Sequence, residues 1–217
     1  MSATEEPDPT APRLDFVTAE RAHRLGKLDA LRERGINPYP VAFDRDHTVG
    51  ELRALYNDLP PGATTDAEVR IAGRLMLIRR HGGLIFADLH EQTGTIQLLA
   101  ERNVLGEEGL ADFRALDRGD WVGVVGTVMS TRRGELSIRV TECRLLSKSL
   151  RALPDKHRGL TDVDTRLRER YLDLIVNPDA RRVFDVRSAA ISAVRRVLVE
   201  RGFTCLLYTS PSPRDRS

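Results

Sequence analysis

Aromatic residues, cysteines and long apolar runs are all scarce in this sequence of 217 residues. Aromatics make up 5% of the chain, and neither Cys143 nor Cys205 has a cysteine or histidine neighbour at metal-ligand spacing. A disulfide framework and a zinc site are therefore excluded, and a reducing cytoplasm is expected. No apolar run approaches the ~20 residues that a membrane-spanning helix needs, and the first residues lack an apolar signal segment. These absences predict a soluble protein with no membrane partner.

The net charge of +2 conceals an uneven distribution along the chain. Residues 1–131 carry 15 basic and 21 acidic side chains, whereas residues 132–201 carry 17 basic and 10 acidic ones. A concentration of positive charge is typical of proteins that bind phosphate-bearing partners. All but three of the 34 basic residues are arginine, which a GC-rich genome would also produce. Charge alone therefore does not decide whether the protein binds a nucleic acid.

The N-terminal third reads as a polar tail followed by two helices. Leucines at three- and four-residue spacing predict an amphipathic helix from Thr18 to Arg34, which Gly35 would end. Thr48 and Glu51 have the spacing of a capping box, in which each side chain satisfies a backbone N–H of the other residue. They predict the start of a second, short helix.

From Glu68 onwards the apolar period changes to two, which is typical of strands with one buried face. A helix is predicted around Leu110 to Leu116. Five strands with a helix between the third and the fourth predict an oligonucleotide/oligosaccharide-binding (OB) barrel, and glycines inside strands would allow it to bend. The five runs are Val69–Leu77, Leu84–Leu89, Thr95–Ala100, Asp120–Met129 and Glu135–Leu146, and the glycines are Gly73, Gly123 and Gly126.

Alternation along these strands also predicts which side chains leave the core. Ile71, Leu75 and Leu77 pointing inward would place Arg74 outward, and the same reasoning places Phe86, Gln97, Glu135, Ser137 and Arg139 outward. Such barrels bind single-stranded nucleic acid with aromatic rings that stack on bases and polar groups that read base edges. Arg74, Phe86, Gln97 and Glu135 form a set of this kind. The alternative is that a helix covers Phe86 and that the polar side chains form ordinary solvated strand faces.

Four arginines beside the hairpin turns are candidates for phosphate contacts, although solvated loop charge would also explain them. They are Arg79, Arg80, Arg132 and Arg133. No glycine-rich phosphate loop is present, and His81-Gly82-Gly83 reads as the turn between the first two strands. The histidines are scattered. No catalytic residue and no metal ligand is predicted in this chain.

Three segments resemble the N-terminal half of class II lysyl-tRNA synthetases, over roughly Phe16 to Phe203. They read "EVRIAGRLMLIRRHGGLIFADLHEQTGTIQLL", "RGELSIRVTECRLLSKSLRALPDKHRGLTD" and "TRLRERYLDLIVNPDARRVFDVRSAAISAVRRVLVERGF". The strands, "GELS" and "RYLDL" are shared with aspartyl- and asparaginyl-tRNA synthetases, whereas "RLGKLDALRERGINPYP" and "LPDKHRGL" resemble the lysyl enzymes alone. A fragment of an aspartyl or asparaginyl enzyme, or a non-enzymatic OB-fold nucleic-acid-binding protein, is the alternative.

The resemblance implies that the barrel binds the tRNA anticodon, with Phe86 stacking on a base and Arg74, Gln97 and Glu135 contacting base edges. The complete family enzyme is a cytoplasmic homodimer that uses ATP and Mg²⁺ to ligate lysine to its tRNA in protein biosynthesis. The sequence motifs that hold ATP and lysine follow the region matched here. The chain by itself is therefore expected to have no cofactor and no ligase activity.

The resulting expectation is a mainly β protein with flanking helices, divided into five parts. Residues 1–66 form a tail and helices, residues 67–148 the OB-fold anticodon-binding barrel, and residues 149–165 a linker. Residues 166–204 would begin the class II α+β catalytic domain with a helix from Asp179 to Arg201. Residues 205–217, from Cys205, depart from the family and resemble translated vector sequence, which predicts a non-native tail.

Overall fold

The computed structural model describes residues 11–154 and 160–204, which fall into two compact units. The N-terminal unit ends at Ala152 and the C-terminal unit begins at Leu153. Most of the "LPDKHRGL" segment and the tail from Cys205 lie outside the described residues. Within the described part of the chain, none of the helices is long and apolar enough to cross a membrane.

Five strands of the N-terminal unit form a closed barrel: β1 (Thr64–His81), β2 (Leu84–His90), β3 (Thr95–Glu101), β4 (Trp121–Ser130) and β5 (Leu136–Ser147). Their order in the barrel is β1-β2-β3-β5-β4, with β4 also paired to β1. The only parallel pair among these strands is β3 with β5. The predicted OB-fold barrel is confirmed, and each strand lies within a few residues of its predicted position.

The alternating apolar side chains of the strands meet inside the barrel and form one continuous core. Helix α2 (Val49–Leu55) contributes Val49 and Leu52 to this core, and helix α3 (Arg102–Ala115) contributes Leu110 and Phe113. The capping box predicted at Thr48 and Glu51 is present. Helix α2 contacts the β2–β3 turn and α3 contacts the β1–β2 turn, so the two helices cover opposite ends of the barrel.

Helix α1 (Ala11–Glu33) begins seven residues before the predicted start at Thr18. Proline is favoured in the first turn of a helix, where its missing N–H needs no partner, so Pro12 marks a start that the sequence analysis assigned to the tail. Leu28 of α1 is buried, and Leu31 packs against the barrel core. The N-terminal helix is therefore part of the barrel's packing.

The inward orientation predicted for Leu77 is wrong. The register between β1 and β2 shifts between Leu75 and Leu77, which is the mark of a β-bulge. One extra residue reverses the alternation, so Ile78 rather than Leu77 packs against the core, whereas Ile71 and Leu75 before the bulge point inward as predicted. The bulge also determines which of the arginines that follow faces outward.

The C-terminal unit consists, in its described part, of three helices: α4 (Val163–Arg168), α5 (Arg170–Val176) and α6 (Pro178–Glu200). Helix α6 matches the predicted helix to within one residue at each end, and Asn177 caps its start. Asp173 is buried between two arginines, with Arg166 and Arg170 each donating to one of its carboxylate oxygens. Many apolar side chains of α6, among them Val183, Val186 and Val194, are exposed.

Candidate nucleic-acid interface

The solvent-facing side of strands β1, β2, β3 and β5, called the outer face below, carries the side chains that the sequence analysis singled out. Cross-strand register arranges them in rows. One row runs from Phe86 on β2 through Leu99 on β3 to Arg139 on β5, and the next runs from Asp88 through Gln97 to Ser137. The inward neighbours on the same strands, such as Ile85 and Leu98, are fully buried. The barrel core therefore holds the outer face rigidly.

Phe86 lies on the outer face and is half-buried. The described helices leave the residue partly exposed to solvent. The ring of His81 contacts it edge to face, with ring centroids 6.3 Å apart and ring planes at 67°. A partly exposed aromatic side chain on a strand of a packed barrel is the kind of group on which a nucleobase stacks.

Gln97 lies diagonally across the strand pair from Phe86, a separation of about 7–8 Å between side-chain positions. This distance lets one base stack on the ring while the amide reaches an edge. The hydroxyl of Ser137 donates to the Oε1 atom of Gln97 over 3.1 Å. Gln97 is thus both near the ring and held by a neighbour on β5.

Glu135 lies two residues before Ser137, at the start of β5, with its carboxylate about half exposed. Its Oε1 atom accepts from the guanidinium of Arg53 on α2 at 3.3 Å. The strand order places Glu135 at the same edge of the outer face as Gln97. The carboxylate keeps acceptor capacity for a ligand because the contact with Arg53 is single and exposed.

Arg74 is set apart from the other three predicted residues. It pairs with His90, four residues along β2 from Phe86, which is about 13 Å at the usual rise of a strand. Its guanidinium lies 5.1 Å over the ring of Trp121 and donates to the carbonyl oxygen of Gly119 at 2.9 Å. Burial lowers the pKa of Arg74 from its usual value, and the nearby Asp120 opposes that shift. An arginine remains charged throughout the working pH range, so Arg74 offers a fixed cation.

The four arginines proposed for phosphate contacts lie in different settings. Arg79 is on the outer face opposite Phe86 and pairs with Asp88 at 3.2 Å. Beyond the bulge, Arg80 instead donates to the main-chain carbonyls of Arg114 and Leu116, so it caps the end of α3. Arg132 and Arg133 are exposed in the turn between β4 and β5. Arg79, Arg132 and Arg133 are thus better placed than Arg80 to contact phosphates.

Two models of known protein families match the two units separately. One, described as an OB-fold nucleic acid binding domain, matches residues 69–146. The other, described as tRNA synthetases class II (D, K and N), matches residues 162–207. The second description covers synthetases for aspartate, lysine and asparagine, so it does not by itself distinguish among these three amino acids.

Curated relatives of this chain include lysine–tRNA ligases. One from Synechococcus sp. (strain RCC307) is 45% identical over 199 residues, covering 90% of this chain and 40% of the relative. One from Magnetococcus marinus is 45% identical over 184 residues, covering 84% and 37%. Lysine–tRNA ligase 2 of Methanosarcina acetivorans is 47% identical over 181 residues, covering 83% and 35%. This chain belongs to the class II lysyl-tRNA synthetase family.

The chain spans about 40% of the length of these lysyl-tRNA synthetase relatives. The matched part contains the barrel and the start of the class II domain, in agreement with the resemblance drawn from the sequence. Relatives named for lysine favour the lysyl assignment over the aspartyl and asparaginyl ones. The class II match also argues against a free-standing barrel.

Two side chains of this lysyl-tRNA synthetase barrel were not assigned a role from the sequence. Ser137 was placed outward by alternation but not linked to Gln97, because β3 and β5 are far apart in the chain. Trp121, the single tryptophan, is the first residue of the largely buried strand β4 and was not linked to Arg74 in the sequence analysis. Alternation in β4 places Trp121 outward, since Val122 is buried, and this signal could have found it.

No cluster of three or more histidine, cysteine, aspartate or glutamate side chains that could hold a metal ion occurs among the described residues. No step of ATP chemistry is assigned to the described residues. The outer face carries an aromatic ring, an amide, a carboxylate and a cation, which belong to Phe86, Gln97, Glu135 and Arg74.

Proposed function

We propose that the barrel binds the anticodon loop of a lysine tRNA through its outer face. The observation that carries this proposal is the juxtaposition of the half-buried Phe86 ring with the Gln97 amide on adjacent strands. Glu135 and Arg74 extend the same surface in two directions. A single-stranded loop presents unstacked bases whose edges such groups can read, whereas a duplex hides them.

The proposal extends to a whole protein of the relatives' length, of which this chain would span about 40%. We infer that the whole protein ligates lysine to its tRNA, as its relatives' names state. We also infer that it uses ATP and Mg²⁺ and acts in the cytoplasm as a homodimer. The exposed apolar side chains of α6 support an association between copies.

The test compares stem-loops that differ only in the anticodon. The 217-residue chain should bind a uridine-rich lysine anticodon loop more tightly than loops with other anticodons, in fluorescence titrations at one fixed salt concentration. Fixed salt is essential because phosphate contacts make every affinity salt-dependent. Equal affinity for all loops would contradict the proposal and leave a non-specific RNA binder.

Replacing the ring isolates its contribution. Phe86→Ala should weaken binding by about 1–3 kcal/mol, the usual range for removing a base-stacking side chain. Phe86→Tyr keeps the ring and serves as the matched control, which should bind within about threefold of the parent since the stacking surface is retained. If both variants bind as tightly as the parent, the ring does not stack on a base.

A further inference from the structure

Ser137 is a buried hydroxyl on the outer face. It lies on β5 in register with Gln97 on β3, and it is fully buried although Gln97 and Arg139 on the same face are partly exposed. Its Oγ atom donates to Oε1 of Gln97 at 3.1 Å. A buried serine on the ligand-facing side of a strand contributes a directed hydrogen bond and little apolar surface.

The hydrogen bond decides which end of the Gln97 amide faces the solvent. A side-chain amide has one acceptor, the carbonyl oxygen, and one donor group, the NH₂. With Oε1 turned towards Ser137, the NH₂ group is presented to the open outer face. Gln97 therefore offers a donor to any base stacked near Phe86.

We propose that Ser137 is a positioning residue for base specificity: it orients the Gln97 amide so that its NH₂ reads a carbonyl oxygen of uracil. The inference rests on the proposed anticodon binding and adds the direction of recognition. At ring position C4, uracil carries a carbonyl oxygen where cytosine carries an amino group. A fixed donor pairs with the carbonyl and meets another donor in cytosine, so cytosine is disfavoured.

The main chain offers Ser137 one competing acceptor, which makes the direction testable. Oγ also lies 3.1 Å from the carbonyl oxygen of Glu135. If the hydroxyl proton goes there, Gln97 must turn its amide and donate its own NH₂ to Ser137. The exposed group would then be the carbonyl oxygen, which pairs with the amino group of cytosine instead. The two arrangements thus favour different bases.

The experiment is a double-mutant cycle with stem-loop RNAs. The 217-residue chain and its Ser137→Ala, Gln97→Ala and doubly substituted variants are titrated with the uridine-rich loop. They are also titrated with loops in which each anticodon uridine is replaced in turn by cytidine. At the position where Gln97→Ala abolishes discrimination, Ser137→Ala should reduce the uridine-over-cytidine ratio by about 3–10-fold, the effect of one neutral hydrogen bond. In the Gln97→Ala background it should change nothing further.

A variant of the amide tests the direction itself. Gln97→Glu can accept the hydrogen bond from Ser137 but presents only an acceptor to the base, so its preference should shift from uridine towards cytidine. Urea unfolding of each variant checks that the barrel remains folded. A shift of Gln97→Glu towards tighter uridine binding would overturn the assigned orientation.

The outcomes separate this inference from the function on which it rests. If the parent chain binds all loops equally, the anticodon proposal fails and the inference with it. If the parent prefers uridine and Ser137→Ala keeps the full ratio, the inference alone fails. If Ser137→Ala weakens binding to every loop equally, or if its effect persists in the Gln97→Ala background, then Ser137 has only a structural role.

Discussion

Replacing Asp120 with alanine should strongly destabilise the barrel, because its carboxylate is the centre of a buried ionic network. Asp120 has no solvent exposure and accepts from the ammonium of Lys148 at 2.7 Å. It also accepts from the main-chain N–H groups of Asp117 and Ser149, both at 2.8 Å. The side chain of Lys148 is 2% exposed, so its charge also depends on these partners.

The expected magnitude follows from what the substitution leaves behind. In Asp120→Ala, two partly buried main-chain donors lose their acceptor, and Lys148 keeps only Asp117 as a carboxylate partner. Removing one partner of a buried pair usually costs about 3–5 kcal/mol, since the remaining charge stays desolvated. For a unit of this size, a loss of 1 kcal/mol lowers Tm by roughly 2–4 °C. The midpoint should therefore fall by roughly 6–20 °C.

The assay is thermal unfolding monitored by circular dichroism, with Asp112→Ala as the matched control. Asp112 pairs with Arg34 through two hydrogen bonds, but both side chains are about half exposed. Exposed pairs contribute about 0–1 kcal/mol, so the control should remain close to the parent. Equal changes in the two variants would refute the argument that burial gives the network around Asp120 its importance.

Three further predictions concern pH, chemistry and association. Burial raises the pKa of Asp117, but hydrogen bonds from Lys148 and Lys27 outweigh it and lower the pKa overall. The ionised Asp117 carboxylate should therefore stabilise the fold fully above about pH 4, and this stabilisation should disappear as pH falls through the lowered pKa. Unfolding curves of the parent and of Asp117→Asn, recorded across this pH range, would show the difference. The 217-residue polypeptide should show no lysine-dependent pyrophosphate exchange above a buffer control, and any exchange that survives removal of host synthetase contradicts this. A chain ending at Ala152 should be more monomeric by light scattering than the 217-residue chain, because it lacks the exposed apolar side chains of α6. It should also keep RNA binding, since it contains the whole barrel. Aggregation of the shorter chain would show that the barrel needs residues beyond Ala152.

Several features of the barrel were predictable because they depend on neighbours in the chain. The capping box at Thr48 requires only a residue three positions away, and it is formed as expected. The Asn177 cap of α6 depends on local spacing in the same way. The outward position of Phe86 follows from its buried neighbours Ile85 and Ala87, since alternation along a strand is a property of the backbone.

The bulge in β1 shows where this local reasoning ends. Nothing in the alternation around Leu75 and Leu77 marks an extra residue, because the bulge arises from the pairing of β1 with β2. Its consequence is large, since Ile78 rather than Leu77 faces the core and Arg80 turns to the end of α3. A phosphate contact proposed from turn position alone could not anticipate that partner.

The sequence by itself determined the strands, the helix caps and the side of each strand that carries the polar set, because period and capping are short-range properties. Only the tertiary structure decided which of these side chains meet. Closure of the barrel places Ser137 beside Gln97 through the parallel pairing of β3 with β5, and it brings Lys148 to Asp120. Contacts between distant segments depend on register and on the bulges that shift it, and no local pattern in the chain encodes either one.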